Sequence, residues 1–225
     1  MNKQPFSSAR VTIIEGDQGS GKSVTGVGRV VDKYWNDCVR IFCEEVLKIE
    51  CQVKAYDRKT RLAKIKYDGF IKIIRIPQGY KLHSPMRIFA NFHLYGIPYV
   101  YCQNFSQILY MLKHGLIIDG ILIIDEAYVG INARAGMSKL GQELEKQSFQ
   151  YRKMQLEVII ITPMARLIDW TARTIPTEHI ICTYDPNTYQ VTYTVSKKGQ
   201  QGNREVTFDA RQYFPNYWTN ERITA

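Results

Sequence analysis

The run Val11-Thr12-Ile13-Ile14 passes through Glu15 into Gly16-Asp17-Gln18-Gly19-Ser20-Gly21-Lys22-Ser23, a join that restricts the fold more than any other stretch of the chain. β-Branched residues pack well on a pleated surface, so the run predicts a strand. Glycine accepts backbone conformations closed to other residues, so the segment after it predicts a tight loop. Residues Val24 to Tyr34 can then form a helix, which Gly26 and Gly28 weaken relative to alanine while letting it pack closely on a sheet. The loop satisfies G-x-x-x-x-G-K-[ST] in full, and the chemistry of that pattern is phosphate binding. Its backbone N–H groups can curl around phosphates, Lys22 can reach the β- and γ-phosphates, and the Ser23 hydroxyl can ligate Mg²⁺. The start of the helix adds its positive dipole end. The sequence therefore predicts a nucleoside triphosphate, held by Gly16, Asp17, Gln18, Gly19, Ser20, Gly21, Lys22, Ser23 and Val24. The simpler reading, a glycine-rich turn with an exposed lysine, leaves the strand before it and the helix after it unexplained.

A chain of 225 residues that is 45% apolar can build one core without splitting, so a single α/β domain with an insertion is expected. Its formal charge of +9 favours a polyanionic partner, although composition does not separate DNA, RNA and an acidic surface. Five cysteines without C-x-x-C spacing indicate neither a zinc site nor a disulfide framework. Reduced, buried thiols are expected, and a Cys43–Cys51 bridge becomes credible only in a hyperthermophilic source. The first ten residues lack the apolar core of a signal peptide. The longest apolar stretch, Leu116 to Ile131, is broken by Asp119, Asp125 and Glu126, so a soluble protein without an integral membrane segment is expected.

The stretch 49–76 alternates apolar and polar residues around the turn Asp57-Arg58-Lys59-Thr60, and reads as a β-hairpin inserted into or attached to the main sheet. Lys54, Lys64 and Lys66 lie on its polar face, Arg58, Lys59 and Arg61 at its turn, and Lys72 and Arg75 just beyond. Two readings stand, a nucleic-acid contact and a solvated strand face. Arg87 to Asn91 reads as a short core strand and Phe105 to His114 as an amphipathic helix. His93 and His114 are isolated and suggest no metal site.

Ile121-Leu122-Ile123-Ile124 ends in Asp125-Glu126. Four apolar residues fit a strand covered on both faces of a parallel sheet, whose C-terminal end is where ligands bind. Asp125 is then placed to hold Mg²⁺ and Glu126 to polarise an attacking water as general base. Alone the pair could be a solvated acidic turn; a phosphate loop about 100 residues upstream favours the catalytic reading. A charged helical pattern from Gln142 to Lys153 runs into another core strand, Leu156 to Pro163. Thr162 at its end can sense the γ-phosphate or merely cap the strand. Arg134, Arg152, Arg166 and Arg173 flank this region, and each could reach a phosphate of its own or a neighbouring subunit's nucleotide. Beyond them lie a hairpin around Asp185-Pro186-Asn187-Thr188, a basic tip from Lys197 to Arg204 and an aromatic tail from Tyr213 to Trp218. The tail can either stack on bases or sit in an apolar groove.

The order of these parts carries a resemblance. The phosphate loop, Asn91-Phe-His-Leu-Tyr-Gly-Ile-Pro-Tyr, Ile124-Asp-Glu-Ala-Tyr, Asn132-Ala-Arg-Ala-Gly-Met-Ser-Lys, Tyr151-Arg-Lys and Ile159-Ile-Ile-Thr162 together resemble the FtsK/HerA-type motor ATPases. Within them the chain is most similar to the Zot-like and viral genome-packaging branch. The resemblance spans roughly residues 10 to 180, and Asn216 to Glu221 is similar to the tail of such proteins. It implies a P-loop NTPase with a RecA-like (ASCE) core, a central mostly parallel sheet flanked by helices, and inserted and C-terminal β-hairpins at about 49–76 and 180–225. It also implies a ring, a hexamer, that threads double-stranded DNA using ATP and Mg²⁺, with a viral capsid or a portal-like component as partner. The chain would then work in the host cytoplasm or on the virion. Lys22 and Ser23 match the Walker A positions, and Asp125 and Glu126 the Walker B pair. Arg152 matches an arginine before the sensor strand, a candidate finger acting in trans, with Arg173 second and Arg134 a further candidate. The catalytic set implied is Glu126, Lys22, Arg152 and Thr162. Where the family ends the sensor strand in Thr-Gln, this chain has Thr162-Pro163, which leaves sensing to Thr162 alone or moves it to Gln155 or elsewhere. Zot proper carries a membrane span after its ATPase domain; its absence here favours capsid packaging over extrusion of a filamentous phage. Two alternatives stand, a P-loop kinase acting on an anionic small molecule and a Zot-like phage-assembly or nucleotide-gated assembly factor.

Overall fold

The computed structural model describes residues 11–127, 146, 154–167 and 176–217. The β-branched run forms β1 (Val11–Glu15), with Val11, Ile13 and Ile14 at most 4% exposed. The glycine-rich loop follows, and α1 (Lys22–Glu45) starts at its lysine. This helix runs beyond the expected Tyr34, because buried Val27, Val30, Val31, Tyr34, Cys38, Val39 and Phe42 keep helical spacing along its length.

Three strands come next: β2 (Gln52–Asp57), β3 (Leu62–Tyr67) and β4 (Phe70–Arg75). They form an antiparallel sheet of their own in the order β2-β3-β4. The hairpin expected over 49–76 is thus extended by a third strand and is not hydrogen-bonded into the main sheet. The chain divides into two compact units, one of Met1–Val27 with Arg87–Ala225, the other Gly28–Met86. The second unit has its own core, in which Val39, Phe42 and Cys43 pack with Cys51, Ala63, Ile65 and Ile76.

The first unit is built on an eight-stranded sheet. To β1 it adds β5 (Arg87–Ala90), β6 (Val100–Tyr101), β7 (Gly120–Ile124), β8 (Leu156–Thr162), β9 (Glu178–Asp185), β10 (Gln190–Lys197) and β11 (Arg204–Asp209). Between β6 and β7 lies α2 (Phe105–Lys113), capped by Asn104, whose side chain accepts from the Gln107 amide at 2.9 Å. The strand order is β11-β10-β9-β1-β8-β7-β5-β6, parallel from β9 to β6 and antiparallel in β10 and β11. The expected mostly parallel sheet is therefore present. All five residues of β7 are buried, as are six of the seven in β8, which explains why both read as continuous apolar runs.

Placing β8 between β1 and β7 decides where the chemistry falls. Glu15 lies opposite Thr162 and Ile160 opposite Ile124, so the ends of three parallel strands reach one edge together. The loop after β1, the carboxylates after β7 and Thr162 meet there. Gly26 brings α1 down onto the same strands: a Cβ at this position would stand 2.6 Å from Ile161 Cδ1 and 3.2 Å from Ile123 Cδ1. Its small size serves close packing, as expected.

Of the aromatic tail, residues up to 217 are described, and they are anchored. Tyr213, Phe214 and Tyr217 pack against buried Val24, Val191 and Ala210. Asn216 donates from Nδ2 to the Tyr95 carbonyl at 2.9 Å and accepts the Tyr95 amide at 2.7 Å. All five cysteines are buried and none is in a disulfide.

Candidate nucleotide site

The loop leaves β1 at Gly16, where φ is +156°. A Cβ there would stand 2.7 Å from the Cys182 carbonyl of β9, so the backbone can pass only as glycine. Ser20 N–H donates to the Asp17 carbonyl at 3.1 Å, and the Lys22 ammonium donates to the same oxygen at 2.8 Å. Lys22 is only 5% exposed and forms no ion pair among the described residues. A buried ammonium answered by one carbonyl dipole is poorly compensated, and an anion delivered to the loop improves its surroundings. Ser20 points the same way, since its Oγ is buried without a hydrogen-bond partner. Both observations fit a phosphate in the loop.

The second half of the site comes from β7. Ser23 Oγ donates to Asp125 Oδ2 at 2.7 Å, joining residues 102 positions apart in the chain. A hydroxyl and a carboxylate oxygen in contact are the hard ligands Mg²⁺ takes, with nucleotide phosphates and waters completing its shell. Asp125 Oδ1 accepts the Glu126 amide at 2.8 Å. Glu126 itself has φ of +51°, a left-handed conformation that costs a non-glycine residue about 1–3 kcal/mol. The Asp125 carboxylate offsets part of that cost by bonding the next amide, so the two acidic residues form one turn. Among the described residues no cluster of three or more His, Cys, Asp or Glu could hold a metal by itself.

Asn91, the first residue after β5, was not legible as a site residue. Its Nδ2 donates to the Asp125 carbonyl and its Oδ1 accepts the Asp125 amide, both at 2.8 Å. One side-chain amide thus holds the backbone of Asp125 at both ends. The available signal was its place at the end of the expected core strand Arg87 to Asn91. Glu15 contributes as well, its carboxylate accepting the Ala165 amide and tying the end of β1 to the turn after β8.

Thr162 is fully buried, and its Oγ1 donates to the Met164 carbonyl at 3.2 Å. Pro163 offers its carbonyl to the Gly16 amide at 3.3 Å, fastening the strand end to the loop. Gln155 cannot replace the missing sensor glutamine. It occupies the turn before β8, at the opposite end of a seven-residue strand and roughly 20 Å from Thr162. Arg166 is exposed in a short 3-10 turn over Ala165–Leu167. Arg134, Arg152 and Arg173, the helix expected over 142–153 apart from residue 146, and the Asn132 to Lys139 segment lie outside the described residues, as does Trp218.

Neither a protein-family model nor a curated protein matches the sequence. Solved structures do. The N-terminal domain of zonular occludens toxin from Neisseria meningitidis superposes with a TM-score of 0.54 at 17% identity, over 94% of this chain and 100% of that one. The genome packaging NTPase B204 from Sulfolobus turreted icosahedral virus 2, solved with ATP-gammaS, gives 0.45 at 14%, over 88% and 96%. The RadB recombinase gives 0.46 at 10%, over 89% and 86%. Strand order, phosphate loop and the likeness to the toxin domain together identify a P-loop NTPase fold with a RecA-like core.

Proposed function

We propose that this chain is a Mg²⁺-dependent ATPase that moves double-stranded DNA, packaging a viral genome as a ring of identical subunits. The observation that carries the reading is the 2.7 Å bond between Ser23 and Asp125, which joins the two halves of a hydrolytic nucleotide site. Lys22 exchanges the Asp17 carbonyl for the β- and γ-phosphates and neutralises charge on them. Ser23 and Asp125 would hold Mg²⁺, which supplies charge neutralisation at the transferring phosphoryl group. Glu126 accepts the proton of the attacking water, and Thr162 senses the γ-phosphate. Arg152, or else Arg173 or Arg134, reaches the nucleotide of a neighbouring subunit and couples hydrolysis to movement.

The charge of +9 supports a grip on DNA phosphates that does not read sequence. The motif order supports the packaging branch. We read the 225 residues as one ATPase domain with an added sheet. A capsid or portal-like component is its further partner, in the host cytoplasm or on the virion. Among the described residues no helix is long and apolar enough to cross a membrane.

Steady-state ATP hydrolysis with Mg²⁺, with and without linear duplex DNA, tests the proposal on wild type, Glu126→Gln and Arg152→Ala. DNA should raise the wild-type rate, and both variants should bind ATP without turnover. Hydrolysis indifferent to DNA in an assembled protein would sink the motor, and phosphate transfer to a small-molecule acceptor would make it a kinase.

A further inference from the structure

The turn joining β3 to β4 is Asp68-Gly69, with φ of 50° and 83°, the left-handed pair a two-residue type I′ hairpin requires. It closes on Tyr67 opposite Phe70. Such a hairpin closes on a hydrogen-bonded pair, and bonded pairs alternate with non-bonded ones along the ladder. Phe70, Lys72 and Ile74 therefore direct their backbone groups to β3. Those of Ile71, Ile73 and Arg75 face the other way, and β4 is the last strand of its sheet. No turn or loop backbone bond among the described residues reaches them.

The side chains along this edge are as open as its backbone. Ile73 is 71% exposed, Phe70 70% and Ile71 51%. An apolar edge strand is ordinarily blunted by a bulge, a proline or a covering element. β4 contains no proline, and the irregularity of this sheet falls in β2, between Val53 and Ala55. The charges nearby are mainly positive. Lys72 and Arg75 lie on β4, with Lys64 and Lys66 on β3 about 5 Å away. Residues 52–75 carry eight Lys or Arg against two Asp.

We propose that the free edge of β4 takes an extended segment of another protein, one that alternates acidic and apolar residues, as an added strand. The amides and carbonyls of Ile71, Ile73 and Arg75 supply the ladder, and the two isoleucines pack against the incoming apolar side chains. Lys72 lies on the other face of β4, where the carboxylates of an alternating strand fall, and Lys64, Lys66 and Arg75, on the isoleucines' own face, add positive charge beside the edge, so carboxylates are favoured over any other partner charge. A second copy of β4 is disfavoured, since it would bring a second set of cations to the edge with no carboxylate on the strand to answer them. Nucleic acid would use the lysines while leaving the backbone edge, Ile71 and Ile73 without partners. The surface involves no residue of the nucleotide site, so its test is independent of ATP hydrolysis.

The experiment uses the full chain and a fluorescent heptapeptide of alternating Glu and Val, read by anisotropy. The same peptide with its edge-facing amides N-methylated keeps the charge and loses the ladder. Ile73→Pro removes one outward N–H that β3 does not use. Binding by wild type that weakens about tenfold or more on N-methylation, and likewise in folded Ile73→Pro, supports the proposal. No binding, equal binding of the methylated peptide, or wild-type affinity in folded Ile73→Pro overturns it. Displacement of the peptide by duplex DNA or by vesicles of anionic lipid, with those probes themselves weakened by Ile73→Pro, reassigns the edge and overturns it too. If Ile73→Pro does not fold, the Ile71→Glu, Ile73→Glu double variant decides: loss of peptide binding supports strand addition, and retention refutes it.

Discussion

Replacing Asn91 by leucine should separate a positioning role from a structural one. The side chain keeps its branching at Cγ, and the two 2.8 Å bonds to the Asp125 amide and carbonyl are lost. Leaving both groups unpaired would cost about 1–3 kcal/mol each in a dry interior. Asn91 and Asp125 are half-buried, so water repairs part of the loss and about 2 kcal/mol in total is reasonable. In a chain of this size that lowers the melting temperature by about 4–8 °C. The same 2 kcal/mol, if it holds the Asp125-Glu126 turn in its reactive geometry, corresponds to about 30-fold in kcat. Nucleotide affinity without Mg²⁺ should change by no more than about twofold, because the hydrogen bonds of Asn91 and those of Lys22 share no partner. The Mg²⁺ concentration for half-maximal turnover should rise, since Asp125 is a ligand in the proposed site. Asn91→Asp keeps the acceptor, loses the donor and sets a second carboxylate beside Asp125, so it should not rescue turnover. A folded Asn91→Leu protein that melts lower yet hydrolyses ATP at the wild-type rate and Mg²⁺ midpoint would refute the positioning argument and leave a purely structural clamp.

Gly16→Ala should lose nucleotide binding in a fluorescent-analogue titration and melt lower, because its methyl group would lie 2.7 Å from a backbone carbonyl at φ of +156°. The backbone strain alone is worth about 1–3 kcal/mol. Burial pushes the Cys43 thiol from its ordinary 9.0 up to about 12, with the neighbouring Cys51 thiol adding to the shift, and the Cys38 thiol up to about 11. Unfolded, both thiols ionise from about pH 9 while the folded chain holds their protons, so unfolding releases protons in that window. Chemical denaturation should therefore show full stability below pH 9 and a decline as pH rises toward 12, and a pH-independent midpoint over that range would contradict the burial. Ile65→Ala empties a fully buried position in the three-stranded unit and should cost about 2–5 kcal/mol by denaturant unfolding. Nucleotide affinity should survive it, since every residue placed in the site lies outside Gly28–Met86.

What the sequence disclosed depended on how locally each feature is encoded. The phosphate loop and its flanking strand and helix form one contiguous stretch, and their requirement for glycine at Gly16 is written into the chain itself. β7 and β8 were legible because burial on both faces makes nearly every residue apolar. Their order was not. Nothing in the residues of β8 says that it inserts between β1 and β7, yet that insertion brings Thr162 beside Glu15 and the β7 carboxylates to the same edge. β4 could have been found, since Asp68-Gly69 between alternating segments is a strong hairpin signal, but its exposed isoleucines imitate the end of a strand pair more than a third member. Asn91 shows the limit most clearly. An asparagine after a strand is ordinary turn chemistry, and it becomes a clamp only when β5 lies beside β7 in the register that opposes Ala90 to Ile123. Side-chain chemistry at one position fixes what a residue can do, and the register between strands far apart in sequence fixes what it does. The residues most exposed to misreading are therefore polar ones at the ends of buried parallel strands, and in this chain those same ends form the proposed nucleotide site.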